Sequence, residues 1–218
     1  MVISYFRQSQ AAEVTVAAMR ARGVRAIAAR VHLGEIASIS ALITRAVAEM
    51  GRLDVLVCNA ASGVFRPLLS VDDQAWEWTM DVTARSVLAC ARLAAPVMEA
   101  SGGGRIVTIG SPGAARVLPM YGMTGIAKAA VQSLTRYLAA ELAPKGIIVN
   151  SVEPGIVATD SWRAYCEAAL PNDPNLRDSL ESKVVPAEYV AQAVAFLCRA
   201  QGIVGQTLVV DNGSGLTR

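Results

Sequence analysis

Apolar runs of four to seven residues alternate along the chain with longer, Ala-rich stretches whose apolar positions recur at helical spacing. Residues 2–6 read as a strand, 11–22 as a helix closed by Gly23, and 25–31 as a second strand. Residues 36–50 form the next helical pattern, closed by Gly51. The run Asp54-Val55-Leu56-Val57-Cys58 does not alternate, which predicts a strand covered on both faces. One long helix is expected over 71–98, with Trp76, Met80, Val87 and Ala91 on a single stripe and Pro96 bending or fraying its end. A strand over 105–109, a helix over 121–142 and a strand over 147–152 follow. Residues 159–185 are polar and irregular, like a lid; a helix over 187–197 and a strand over 207–210 close the chain. Strands alternating with helices this long predict an α/β fold, a parallel sheet with helices on both faces.

Composition narrows the function classes. The chain has 218 residues, 53% hydrophobic and 17% charged, which suits one compact domain over 1–218 with a sizeable core. A net charge of +2 with no block of like charges gives no case for nucleic acid or an anionic membrane as partner. No uninterrupted apolar run is long enough to span a bilayer, and the first seven residues do not look like a secretory leader. Cys58, Cys90, Cys166 and Cys198 match no zinc spacing, so reduced thiols, no metal and a cytoplasmic setting are expected.

Four segments carry candidate chemistry. Asn59, Ala60 and Ala61, with Ser62 and Gly63, follow a strand end, where a doubly wound sheet opens its ligand crevice; a tight turn of small residues reads the same way. Ser111 ends the next strand and is a crevice hydroxyl or a simple turn residue. Tyr121 and Lys128 are seven apart, two turns less about 20°, so a phenol and an ammonium are expected on one helix face. The ammonium would lower the phenol's pKa towards useful acid–base range. Pro154, Gly155 and Thr159 follow another strand, as an ordinary turn or as a contact for an amide-bearing ring.

In order and spacing these segments resemble the short-chain dehydrogenase/reductase family over nearly the whole chain. Asp54-Val55-Leu56-Val57-Cys58-Asn59-Ala60-Ala61 is similar to the family's fourth-strand motif, and Gly205-Gln206-Thr207-Leu208-Val209-Val210-Asp211-Asn212-Gly213 to its last strand. Thr124, not tyrosine, stands four before Lys128; the spacing of seven resembles the enoyl-acyl-carrier-protein reductase branch. Asn59-Ala60-Ala61-Ser62-Gly63, Trp76-Glu77-Trp78-Thr79-Met80-Asp81 and residues 136–145 are similar to its bacterial type III members.

The resemblance implies a Rossmann-like doubly wound sheet and an NADPH-dependent oxidoreductase reducing an enoyl thioester or carbonyl of a fatty-acyl or polyketide-type substrate, small or carrier-bound. Ser111, Tyr121 and Lys128 would be catalytic. Arg7, Ser9, Asn59, Ala60, Ala61, Lys128, Pro154, Gly155 and Thr159 would contact NADP, with Arg7 and Ser9 at its 2′-phosphate. Thr83 stands in place of the family's helix asparagine, and His32 where the family contacts adenine, although a lone histidine is more often structural. A homodimer or homotetramer is implied.

The family's first strand, glycine-rich turn and helix have no counterpart before Val2, so the neighbours of that strand should carry unpaired edges. A late start, a shortened sheet that closes up, and a strand donated by a partner all fit this pattern. The alternative function is a non-redox descendant, a binding module or an acid–base enzyme using Tyr121 and Lys128.

Overall fold

The structure is a computed structural model that describes residues 1–170, 180 and 183–216. The order is β1 (Val2–Tyr5), α1 (Ser9–Ala21), β2 (Ile27–Arg30), α2 (Ile36–Met50), β3 (Val55–Cys58), α3 (Asp73–Met80), α4 (Ser86–Ala100), β4 (Gly104–Ile109), α5 (Gly122–Leu142), β5 (Ile147–Pro154), α6 (Asp160–Ala169), α7 (Ala187–Leu197) and β6 (Thr207–Val210). All pairings among the described residues are parallel. They form two separate ribbons, β1-β2 and β3-β4-β5-β6, with no pairing between β1 and β3.

The period of two along β4 divides the core. Ile106 joins Val87, Ala91, Met98, Val131 and Leu138 under α4 and α5, while Val107 and Ile109 join Ala193 and Leu197 under α7. Thr108 keeps to the α5 side, its hydroxyl 2.8 Å from that of Thr135. Helices therefore cover both faces of β4 and β5, as the apolar runs predict.

β3 departs from its expectation. Leu56 and Cys58 pack on the α4 side, but Val55 and Val57 are 39% and 42% exposed. The helix layer on their face reaches β4 through α7 and stops there. The Cys58 thiol meets that of Cys90 on α4, and this bond together with burial pushes the Cys58 pKa well up. The β1-β2 ribbon is held to the rest by packing instead of strand pairing: Val31 and Ile39 on its side meet Ala89 and Cys90 of α4.

The long helix is not uniform. Asp81–Arg85 is a π-helical turn between α3 and α4. The wider turn shifts the phase of the two flanking segments, so Trp76 is 45% exposed while Thr79 is buried, and the predicted single stripe is broken. Pro96 lies inside α4, which continues to Ala100. The expected irregular lid begins as helix α6; residues 171–179 and 181–182 lie outside the described residues. Among the described residues, no helix is long and apolar enough to cross a membrane.

Candidate active site

Parallel register brings the C-terminal ends of β3, β4 and β5 to one side of the sheet, with Cys58 level with Thr108 and Ile109 level with Val152. Gly110 N–H donates to Val152 O at 2.7 Å and prolongs β4 by one rung. Ser111 follows in extended backbone, and its Oγ accepts from Gly113 N–H, starting the single 3-10 turn Pro112–Ala114.

Tyr121 stands at the N-cap of α5, with non-helical φ −97° and ψ 1°, rather than within the helix as the spacing suggests. Its hydroxyl lies 3.0 Å from Ser111 Oγ. Lys128, 7% exposed in the second turn of α5, donates from Nζ to Ile109 O at 2.7 Å. Phenol and amine thus converge on the two flanks of Gly110 and not on each other. The expected lowering of the Tyr121 pKa by the ammonium is therefore not found: burial raises it, and the bond with Ser111 offsets only part of the rise. Burial brings the Lys128 pKa down to about 8, because removing the amine from water disfavours its charged form.

The phenol ring is pinned from several sides. A Cβ on Gly113 would come within 2.5 Å of Tyr121 Cδ1 and Cε1, so only glycine leaves the ring this place. Phe65, from the turn after β3, stacks on Tyr121 at 5.7 Å between centroids and 19° between planes. Tyr165 of α6 meets Phe65 at 5.5 Å and Tyr121 at 5.8 Å, nearly perpendicular to both, and Trp162 stacks on Tyr165 at 5.6 Å. This four-ring group was not foreseen from sequence. The usable signal was scarcity: aromatics are 5% of the chain, and three of these rings lie in or beside the segments already singled out.

Thr83 ties the turn after β3 to the π-helical segment, accepting from Ser62 N–H at 3.0 Å and donating to Ser62 O at 2.8 Å. Trp78 Nε1 donates to Ser62 Oγ at 2.8 Å. Asn59, Ala60 and Ala61, just before, are exposed at the strand end. Thr159 caps α6 by accepting from Trp162 N–H at 3.2 Å, a structural task the sequence reading did not give it. Gly155 N–H donates to Val210 O at 2.9 Å, and a Cβ there would press on Asp211. Close by, Glu153 accepts from Gln132 at 2.6 Å, and burial raises its pKa.

Arg7 and Ser9 lie across the break in the sheet. Arg7 sits 5.4 Å over the Phe6 ring and lines a hollow of about 380 Å³ with Asp72, Gln74, Ala75 and Trp78; Ser9 is exposed at the start of α1. His32 is wedged edge-on between Phe6 and Trp78, at 4.7 and 5.4 Å, so it fills a structural place between the two ribbons.

The turns holding Asn59–Ala61 and Pro154–Thr159 follow the C-terminal ends of β3 and β5, on the same side of the sheet as Ser111 after β4. These turns and Lys128 are the groups that could hold the nicotinamide end of a dinucleotide.

Residues 1–215 match the family described as Enoyl-(Acyl carrier protein) reductase. The chain is 32% identical to a 1-cyclohexenylcarbonyl-CoA reductase from Streptomyces collinus, over 98% of this chain and 77% of that protein. It is 30% identical to human dehydrogenase/reductase SDR family member 4, over 98% of this chain and 78% of that protein. A short-chain dehydrogenase from Burkholderia cenocepacia, solved in complex with NADP, superposes with a TM-score of 0.85 at 32% identity, covering 98% of this chain and 86% of that one.

Proposed function

The chain belongs to the short-chain dehydrogenase/reductase family of oxidoreductases, and on that premise we propose that it reduces the enoyl thioester or carbonyl group of a small or carrier-bound acyl substrate with NADPH. One observation carries the reading: two hydroxyls, Ser111 Oγ and Tyr121 Oη, stand 3.0 Å apart at a strand end beside a buried lysine.

A substrate carbonyl oxygen placed between these hydroxyls accepts from both. Charge gathering on that oxygen during reduction meets fixed donors that need no reorganisation. The raised Tyr121 pKa keeps the phenol protonated through the neutral range, so it acts as a hydrogen-bond donor and not as a phenolate base. Lys128 fixes Ile109 and so the approach of Ser111, and its remaining hydrogens would serve the ribose hydroxyls of the cofactor. Asn59, Ala60, Ala61, Pro154, Gly155 and Thr159 would frame the nicotinamide, with Arg7 and Ser9 at the 2′-phosphate. The bound cofactor supplies the hydride. The test is loss of NADPH absorbance with an enoyl thioester or a ketone; no turnover and no NADPH binding would overturn the reading.

In a second reading the Ser111–Tyr121 pair, 3.0 Å apart, does acid–base chemistry without a redox cofactor. Calorimetric titration with NADPH separates the two. Tight binding refutes the second; a cofactor-free reaction abolished by Tyr121→Phe supports it.

A further inference from the structure

We infer that Arg116 is a positioning residue: its guanidinium ties the turn that delivers Tyr121 to the C-terminal turn 211–215 and so holds the phenol against Ser111. The inference rests on Tyr121 as the donor to a substrate carbonyl. Ser111 is placed by strand pairing, since Gly110 beside it bonds Val152 O. Tyr121 has no such support, because the chain reaches it through an excursion of ten positions. That excursion bonds mainly to itself: Arg116 N–H donates to Pro112 O at 3.0 Å and Tyr121 N–H to Leu118 O at 3.2 Å. Its last residue, Met120, takes φ 59°, a left-handed backbone that L side chains disfavour. One flank of the turn borders a hollow of about 520 Å³, so packing there is light. Among the described residues, one hydrogen bond joins residues 112–120 to a residue outside 111–121. It runs from Arg116 Nη2 to Gly215 O, at 3.0 Å and across 99 positions.

The receiving turn is itself well fixed. The Asp211 carboxylate accepts from Gly213 N–H at 2.9 Å and from Gly215 N–H at 2.7 Å, which holds in place the carbonyl that Arg116 meets. Gly155 N–H donates to Val210 O next to it, so the turn stands on the paired ends of β5 and β6. Asp211 and Glu153 both lie near the guanidinium, and two carboxylates around one cation favour a charged donor at this position. A single exposed hydrogen bond adds little to the stability of the whole chain. Its leverage lies in what it holds. A freed turn lets the Tyr121 hydroxyl leave the distance from Ser111 at which both can serve one oxygen.

The experiment labels the five tyrosines isotopically at Cζ and follows their NMR signals, so that turnover is not required. Tyr121→Phe identifies the signal of the phenol. Two variants free the turn from opposite ends. Arg116→Ala removes the guanidinium; Gly215→Ala puts a methyl within 2.7 Å of Arg116 Nη2, and the flexible end of that side chain must swing aside. Each should shift the Tyr121 signal while leaving those of exposed Tyr137 and Tyr189 in place. Each should also lower kcat for NADPH-dependent reduction about fivefold, about 1 kcal/mol, with the KM for NADPH unchanged. Together they should do no more than either alone. Arg116→Lys, which keeps a cationic donor, should restore both the signal and the turnover. A Tyr121 signal that neither variant moves, a shift shared by all five tyrosines, additive effects, or no restoration by lysine would overturn the inference. The reductase reading fails separately: the expected signal changes without any NADPH oxidation support the tie and remove only the reaction. NADPH oxidation that both variants leave intact overturns the tie alone.

Discussion

Val57 and Val107 are register partners on adjacent parallel strands, yet one is 42% exposed and the other 1%. The same residue, in the same local conformation, meets a helix on β4 and open surface on β3. The contrast marks the boundary between two regions. In β4 and β5, strand pairing continues on both sides and helices cover both faces; at β1 and β3 each ribbon ends in an edge that no other described strand pairs. The Ser111–Tyr121–Lys128 group hangs entirely on the complete region, whereas Arg7 and Ser9 belong to the ribbon beyond the break. Substitution of Arg7 or Ser9 should therefore leave the Ser111–Tyr121–Lys128 geometry unchanged.

The strongest way to sharpen the contrast is Tyr121→Phe. It should lower turnover about a thousandfold, about 4 kcal/mol of transition-state stabilisation, while NADPH affinity measured by calorimetry stays within a few-fold. A parallel fall in both would join the regions that the structure separates.

Next in size is the valine pair itself. Val107→Ala should cost about 2 kcal/mol in a denaturant titration, since a fully buried side chain leaves a cavity. Val57→Ala should cost less than about 1 kcal/mol, because much of its side chain already meets solvent. Equal losses would show that something covers β3 in solution.

Lys128→Met tests the site within the complete region. Holding the cation out of water costs about 3 kcal/mol, from the drop between 10.5 and about 8. Losing the bond to Ile109 O returns about 1–2 kcal/mol of that. The variant should thus be more stable than the parent by about 1–2 kcal/mol at neutral pH, though less active. Because the folded pKa is depressed, the advantage is full below about pH 8 and fades as pH climbs towards 10.5. Thermal unfolding across that range gives the sign.

The smallest effect concerns Thr79 and Thr124, whose buried hydroxyls have no hydrogen-bond partner and which both lie against Gly63. Valine at either position should be neutral or stabilising by up to about 1 kcal/mol. A loss of that size would instead reveal an internal water joining them.

Much of the fold was legible because its signals are local. The bounds of α2 and α7 and of β6 agree with the apolar period, and Gly51 closes α2 at φ 84° as a left-handed cap. Ser111, Tyr121 and Lys128 were legible as candidates from their places at a strand end and along a helix, but the pairing of Ser111 with Tyr121 was not. Three further features were not legible either. An apolar run such as Val-Leu-Val-Cys states what can be buried, not whether a helix is there to bury it. Helical periodicity placed Tyr121 on the face of Lys128, but the helix starts one residue later and the lysine reaches for Ile109 O. The Phe65–Tyr121–Tyr165 corner joins residues 100 positions apart, and nothing local announces it.

The π-helical turn at Asp81–Arg85 has a consequence for how the chain tolerates change in length. A helix that carries one surplus residue in a wide turn can lose it and relax to ordinary winding, with the segments on either side keeping the faces they present. A deletion within that turn that spares Thr83 should therefore leave Trp78 on Ser62 and the turn bearing Phe65 in place. A deletion within the regular winding of α3 or α4 would instead turn everything upstream about the axis by roughly 100°. The wide turn is the one stretch of this helix where the chain can shorten without a rotation.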